Sequence, residues 1–211
     1  MKKTPPPPRN AAPTAAATAI LDVAQQLAQT RGYNGFSYAD IAAQLGVTKA
    51  SLHYHFPSKA ELGRALIERY RGRFGAALEA IDGQTQEPLK KLGQYVGLYE
   101  SVLSSDRMCL CGMLAAEHST LPPPMQEGLK LFFDENERWL TRVLDAGRRA
   151  RALRFAESPK ERARVLIGSL EGALLVARSY GNLQRFQAAA AFVLADFGAD
   201  APAPKRGTKK A

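Results

Sequence analysis

Cysteine is scarce: the chain has two, Cys109 and Cys111, which cannot make the disulfide framework of a small secreted domain. Long hydrophobic runs are missing too. No apolar stretch approaches the roughly 18 residues needed to cross a bilayer, and the opening Met-Lys-Lys-Thr with four prolines has no apolar segment of the signal-peptide kind. These absences point to a cytoplasmic protein with no membrane partner. Catalytic signatures are lacking as well. There is no phosphate loop, no dinucleotide fingerprint and no cluster of catalytic type, because two of the three histidines fall in one short helical segment. An enzyme is not expected, nor a cofactor. No convincing strand pattern and no internal repeat occurs.

What is present is helical. At 211 residues and 45% hydrophobic content, the chain can bury a large core. Helices are predicted over 14–31, 38–45, 48–55, 58–82, 88–104, about 107–118, 124–150, 162–180 and 184–197. This is an all-α chain of about nine helices. It divides into a basic Pro-rich tail (1–13), a small three-helix head (14–74), a larger helical-bundle body (75–198) and a second basic tail (199–211). Both tails are expected to be disordered. Helix 88–104 is apolar over most of its girth and is expected to be central and buried.

The net charge of +9 is unevenly placed. Each tail carries +3, and so does 14–74 with seven basic and four acidic residues, while 75–198 balances at fifteen of each. A basic head on a neutral body suits a nucleic-acid binder.

The segment Ser37–Lys59 explains the head. Ser37 with Asp40 is a capping-box start, and Ile41, Ala42 and Leu45 give an apolar helical face. Gly46 supplies the positive-φ stop. Val47 is the apolar plug expected inside the turn. Thr48 caps the next helix, whose Leu52 and Phe56 face inward. Pro57 stops it, and Ser58 with Glu61 starts another. Two short helices joined by a Gly turn form a helix-turn-helix, which sets its second helix in a DNA major groove. Lys49, Ala50, Ser51 and His53 fall on the exposed side of that helix. Lys49, Ser51 and His53 are the candidates for base edges.

With these residues in place, the chain resembles the TetR family of bacterial transcriptional regulators. The pattern is Ser37, then Ile41-Ala42, then Leu45 to Leu52, then Tyr54-His55-Phe56-Pro57-Ser58-Lys59 and Leu62, preceded by Ala24 and Gly32-Tyr33. The resemblance is specific over roughly 14–74 and architectural beyond. It implies a homodimeric, ligand-released repressor on a palindromic double-stranded DNA operator. It also implies that Ser37, Thr48, Tyr54, His55 and Lys59 hold phosphates, along with amides at the starts of the second and fourth helices. His53 departs from the aromatic residue usual at that place.

The body offers weaker signals. Gly168, Gly172, Ala173 and Ala177 in helix 162–180, with the apolar helix 184–197, suggest a self-association surface. Tyr95, Tyr99, Met113, Glu117, His118 and Trp139 are candidate liners of a pocket for an unidentified small-molecule effector. Cys109 and Cys111 read as buried small side chains or as an oxidant or electrophile switch. The switch would require Cys109 to sit in the first turn of a helix capped by Asp106. A metal site built from both cysteines, Glu117 and His118 is the weakest of these readings.

Overall fold

The computed structural model of the chain describes residues 14–197; the two tails of the sequence reading lie outside the described residues. Nine α-helices and no strand occur among the described residues: α1 (Ala15–Arg31), α2 (Tyr38–Leu45), α3 (Lys49–His55), α4 (Lys59–Gln84), α5 (Pro88–Leu103), α6 (Leu110–Ala116), α7 (Pro123–Arg149), α8 (Pro159–Ser179) and α9 (Leu183–Ala195). A single 3-10 turn, His118–Thr120, follows α6. No described helix is long and apolar enough to cross a membrane.

The chain forms two compact units. The first holds residues up to Phe74 together with Asp106–Phe132; the second holds Gly75–Ser105 and residues from Phe133 onward. The sequence reading drew its boundary after residue 74 and gave 106–132 to the body; here 106–132 groups with the first unit. Hydrogen bonds from both the backbone and the side chain of Gln29 tie this segment to α1. Met108 N donates to Gln29 O at 3.1 Å, and Gln29 Nε2 donates to Met108 O at 2.8 Å.

In the first unit, the apolar faces of α1, α2 and α3 meet at Ile20, Leu21, Ala24, Leu27, Ile41 and Leu52, all buried. Leu62, Leu66 and Ile67 of α4 and Leu110 and Leu114 of α6 extend this core. Tyr70, Phe74 and Phe132 close it as an aromatic cluster, with ring centroids 5.7 Å (Tyr70–Phe132) and 5.2 Å (Phe74–Phe132) apart. Burying each such side chain is worth about 1.5–3 kcal/mol.

In the second unit, α8 packs on α9 and both pack on α5. Leu92, Tyr95, Val96 and Tyr99 of α5 are buried against this layer and α7. α5 is not buried all round, however: Leu89 is 46% exposed. The expected helix near 107–118 is shorter, starting at Leu110, because Asp106 turns the chain at φ 55° and Met108 is tied to Gln29. α8 starts three residues earlier than expected. Ser158 Oγ accepts from Glu161 N at 3.2 Å, and the Glu161 carboxylate accepts from Ser158 N at 3.0 Å. With Pro159 at the first helical position, this Ser-Pro-x-Glu signal was visible in the sequence.

Ser158→Ala should therefore lower unfolding free energy by about 1 kcal/mol, read as a reduced urea midpoint with an unchanged slope.

Candidate nucleic-acid interface

α2 and α3 are held by their caps. Ser37 N and Oγ both donate to Asp40 Oδ2, at 2.7 and 2.6 Å, and Ser37 Oγ accepts from Ala39 N at 3.2 Å. These bonds, with Arg31 at 3.7 Å, hold the Asp40 carboxyl below its ordinary range; the Ser37 side chain is the largest cause and the Arg31 charge a minor one. Gly46 ends α2 at φ 66°, ψ 31°, a conformation open to glycine at little cost. Thr48 Oγ1 then accepts from Ser51 N at 3.3 Å to start α3.

Val47 corrects the sequence reading. It is 42% exposed and plugs nothing, because its N–H bonds back to Ala42 O at 3.1 Å and the space under the turn is already filled by Ile41 and Leu52, both at 0% exposure.

The back of α3 is fixed by Leu52 and Phe56. Tyr38 Oη donates to Phe56 O at 2.7 Å, and burial, with smaller contributions from Tyr33 and Glu61, raises the Tyr38 phenol above its usual range. The front of the helix presents Lys49, Ala50, Ser51, His53 and Tyr54 to solvent, with Ser37 and Thr48 exposed beside them and His55 half-buried. The His53 ring lies 4.6 Å from the Tyr38 ring, and its Nδ1 is 3.1 Å from Pro57 O. Tyr54 and His55 meet edge-on at 5.1 Å.

Lys59, expected at a phosphate, also has partners within the chain. Its ammonium is turned inward, donating to Tyr33 O at 2.6 Å and to Phe36 O, and sits 4.5 Å from both ring centroids. Burial lowers its pKa, against the opposing pull of Glu117 and Asp40. It secures the α1–α2 connection, leaving one N–H for any further partner.

Glu117, expected near an effector, secures the same connection. Its carboxylate accepts from Tyr33 N at 2.5 Å and Asn34 N at 3.2 Å, just past Gly32 at φ 82°. Asn34 Nδ2 adds a bond to Thr120 Oγ1 at 2.8 Å. A Cβ on Gly32 would meet Glu117 Oε1 at 2.9 Å, so the glycine serves both the turn and the close approach. His118 is exposed and Met113 half-buried in this unit.

The remaining expected pocket-liners lie in the second unit: Tyr95 and Tyr99 are packed as core, and Trp139 is buried at the edge of a groove. Tyr95, Tyr99 and Trp139 are 0, 2 and 3% exposed. Tyr95 Oη bonds Tyr99 Oη and Asn136 Oδ1, both at 3.1 Å, and Tyr95 stacks on Trp139 at 5.6 Å. Cys109 and Cys111 are 1 and 0% exposed. Cys109 precedes α6 rather than occupying its first turn, and its Sγ accepts from Tyr70 Oη at 3.8 Å. Both thiols are placed as core side chains, out of an oxidant's reach in this conformation.

Capped short helices, a left-handed glycine between them and a polar outer face on the second define a helix-turn-helix DNA-binding protein. The comparisons with known proteins narrow the class. The family model described as bacterial regulatory proteins, tetR family, matches residues 20–66. The transcriptional regulator AcuR of Cereibacter sphaeroides is 30% identical over 156 residues, covering 70% of this chain and 69% of that protein. The HTH-type transcriptional repressor DhaR of a Mycobacterium species is 24% identical over 157 residues, covering 74% and 79%. A solved TetR-family transcriptional regulator from Agrobacterium tumefaciens superposes with a TM-score of 0.85 at 32% identity, over 88% of this chain and 99% of that one. The chain belongs to the TetR family of transcriptional regulators.

The Asp40 geometry has a pH consequence. A carboxyl held low in the folded state adds stability above its unfolded pKa of about 3.9, and that stability is lost as pH falls through the folded value. Between about pH 5 and pH 3, the urea midpoint of the native protein should therefore fall more steeply than that of Asp40→Asn.

Proposed function

We propose that this regulator is a repressor that binds a palindromic operator as a homodimer and releases it when a small molecule occupies the second unit. The observation that carries the DNA reading is the exposed face of α3. Lys49, Ala50, Ser51 and His53 stand out from a helix whose opposite side is locked by Leu52 at 0% exposure. Lys49 suits a guanine edge or a phosphate, and Ser51 suits either base class. The His53 contact with Pro57 O favours a proton on Nδ1, which leaves Nε2 an acceptor on an exposed ring. Such an acceptor takes the exocyclic amine of cytosine or adenine. Exposed Val47 adds an apolar contact suited to a thymine methyl. Ser37, Thr48, Tyr54 and His55 serve phosphates in this reading, and Lys59 and Glu117 hold the α1–α2 connection that orients them.

The homodimer is supported by the outer faces of α8 and α9. Val165, Leu175, Val176 and Tyr180 are 51, 56, 51 and 65% exposed, and Phe192 is 80% exposed. Cβ atoms added at Gly168 and Gly172 would meet nothing within 4 Å, so this apolar, small-residue strip is uncovered in one chain. A second copy related by a two-fold axis would bury it and pair two recognition helices with two half-sites.

Two tests separate these statements. In fluorescence anisotropy with DNA from upstream of its own gene, Lys49→Ala should weaken binding about tenfold or more and lower the slope of log affinity on log salt by about 1. Unchanged affinity and slope would remove α3 from the interface. In sedimentation equilibrium, the native chain should be a dimer and Phe192→Asp a monomer; a monomeric native chain at micromolar concentration would overturn the dimer.

A further inference from the structure

The second unit holds a groove that the DNA reading does not use. It lies between the end of α4, the start of α5 and the last turns of α7, and encloses about 330 Å³, within the range of small-ligand pockets. Its apolar part is made by Pro88, Val143 and the rim of Trp139, and its polar part by Asp82, Lys91 and Arg142.

The charges in the groove are unequal in what they have left to offer. Asp82 is fully engaged: Oδ1 accepts from Lys91 Nζ at 2.6 Å and Oδ2 from Trp139 Nε1 at 3.0 Å. Lys91 has a side chain only 13% exposed, and its charge is answered by Asp82. Arg142 is exposed and makes no direct ion pair among the described residues, although its charge also acts on Asp82. With one carboxylate set against Lys91 and Arg142, the groove keeps one net positive charge at the edge of an apolar recess. A guanidinium fork matches a carboxylate with two parallel hydrogen bonds. One net positive charge suits a monoanion, since a dianion would leave a second charge without a partner at a partly desolvated site.

We propose that this groove binds a small organic monocarboxylate, with its carboxylate on Arg142 and its apolar body against Val143, Pro88 and the Trp139 rim. The site is defined without reference to DNA and stands whether or not binding there alters operator affinity.

The chain has one tryptophan, so its emission reports directly on this groove. The native protein would be titrated with 4-phenylbutyrate and with octanoate, and in parallel with 4-phenylbutanol as the uncharged counterpart. The expected result is a saturable change with at least one acid at low millimolar concentration, and binding of the alcohol weaker by about tenfold or more. Arg142→Gln should lose about tenfold or more in affinity for the acid. Arg138→Gln, an exposed arginine of the same helix outside the groove, should bind as the native protein does. Thermal melts of both variants confirm that they are folded; if Arg142→Gln were not, Arg142→Lys replaces it, with the same loss expected because the fork is gone. Three results would overturn the site: no saturation by either acid below about 10 mM, equal affinity for acid and alcohol, or an Arg142 variant that binds like the native protein. Because no DNA is present, failure here leaves the operator reading intact, and failure there leaves this site intact.

Discussion

A seven-residue helix has almost no stability of its own in water, because nucleation consumes the gain from its few hydrogen bonds. α3, spanning Lys49–His55, is such a helix, and its exposed polar face needs support from behind. Everything around it supplies what it lacks. Leu52 is fully buried, Thr48 caps its start, and Tyr38 holds the carbonyl of Phe56 just past its end. The outward face is left free for recognition because orientation is settled from behind.

The same logic extends to the α1–α2 connection. A loop that leaves α1 through Gly32 has backbone donors and acceptors that need partners. Two charged side chains from distant points of the sequence answer them: Glu117 takes the amides of Tyr33 and Asn34, and Lys59 takes the carbonyls of Tyr33 and Phe36. Charge-assisted bonds of this kind are roughly twice as strong as neutral ones. The segment after Asp106 is thus part of the DNA-binding unit in energetic terms.

The second unit solves a different problem. Its core is closed by an aromatic and hydroxyl cluster of Tyr95, Tyr99, Asn136 and Trp139 in which the polar atoms bond one another. Such a cluster is tolerated in a core because its polar groups are satisfied. Apolar surface is left over on α8 and α9, where Phe192 and Leu175 face outward. Exposed apolar patches of this kind mark interaction surfaces in soluble proteins. The groove beside Trp139 carries the opposite signature, one net positive charge shared by Asp82, Lys91 and Arg142.

The sequence by itself determined most of the helices, their caps and the outer face of α3. Capping boxes, the Gly46 stop and 3.6-residue periodicity are local, and the energies behind them act within a few residues. Lys49, Ser51 and His53 could be placed on the outer face from their offset to Leu52 alone. The Ser158–Glu161 box was just as local and could have been read. Glu117, Lys59 and Val47 could not. Each depends on what lies across space from it: two loop amides, two loop carbonyls, and an interior already filled by Ile41 and Leu52. Only the tertiary structure decided these placements, the allegiance of 106–132 to the head, and the burial of both cysteines. Periodicity says which side of a helix is apolar, but the partner that covers that side is a long-range contact with no mark in the local sequence.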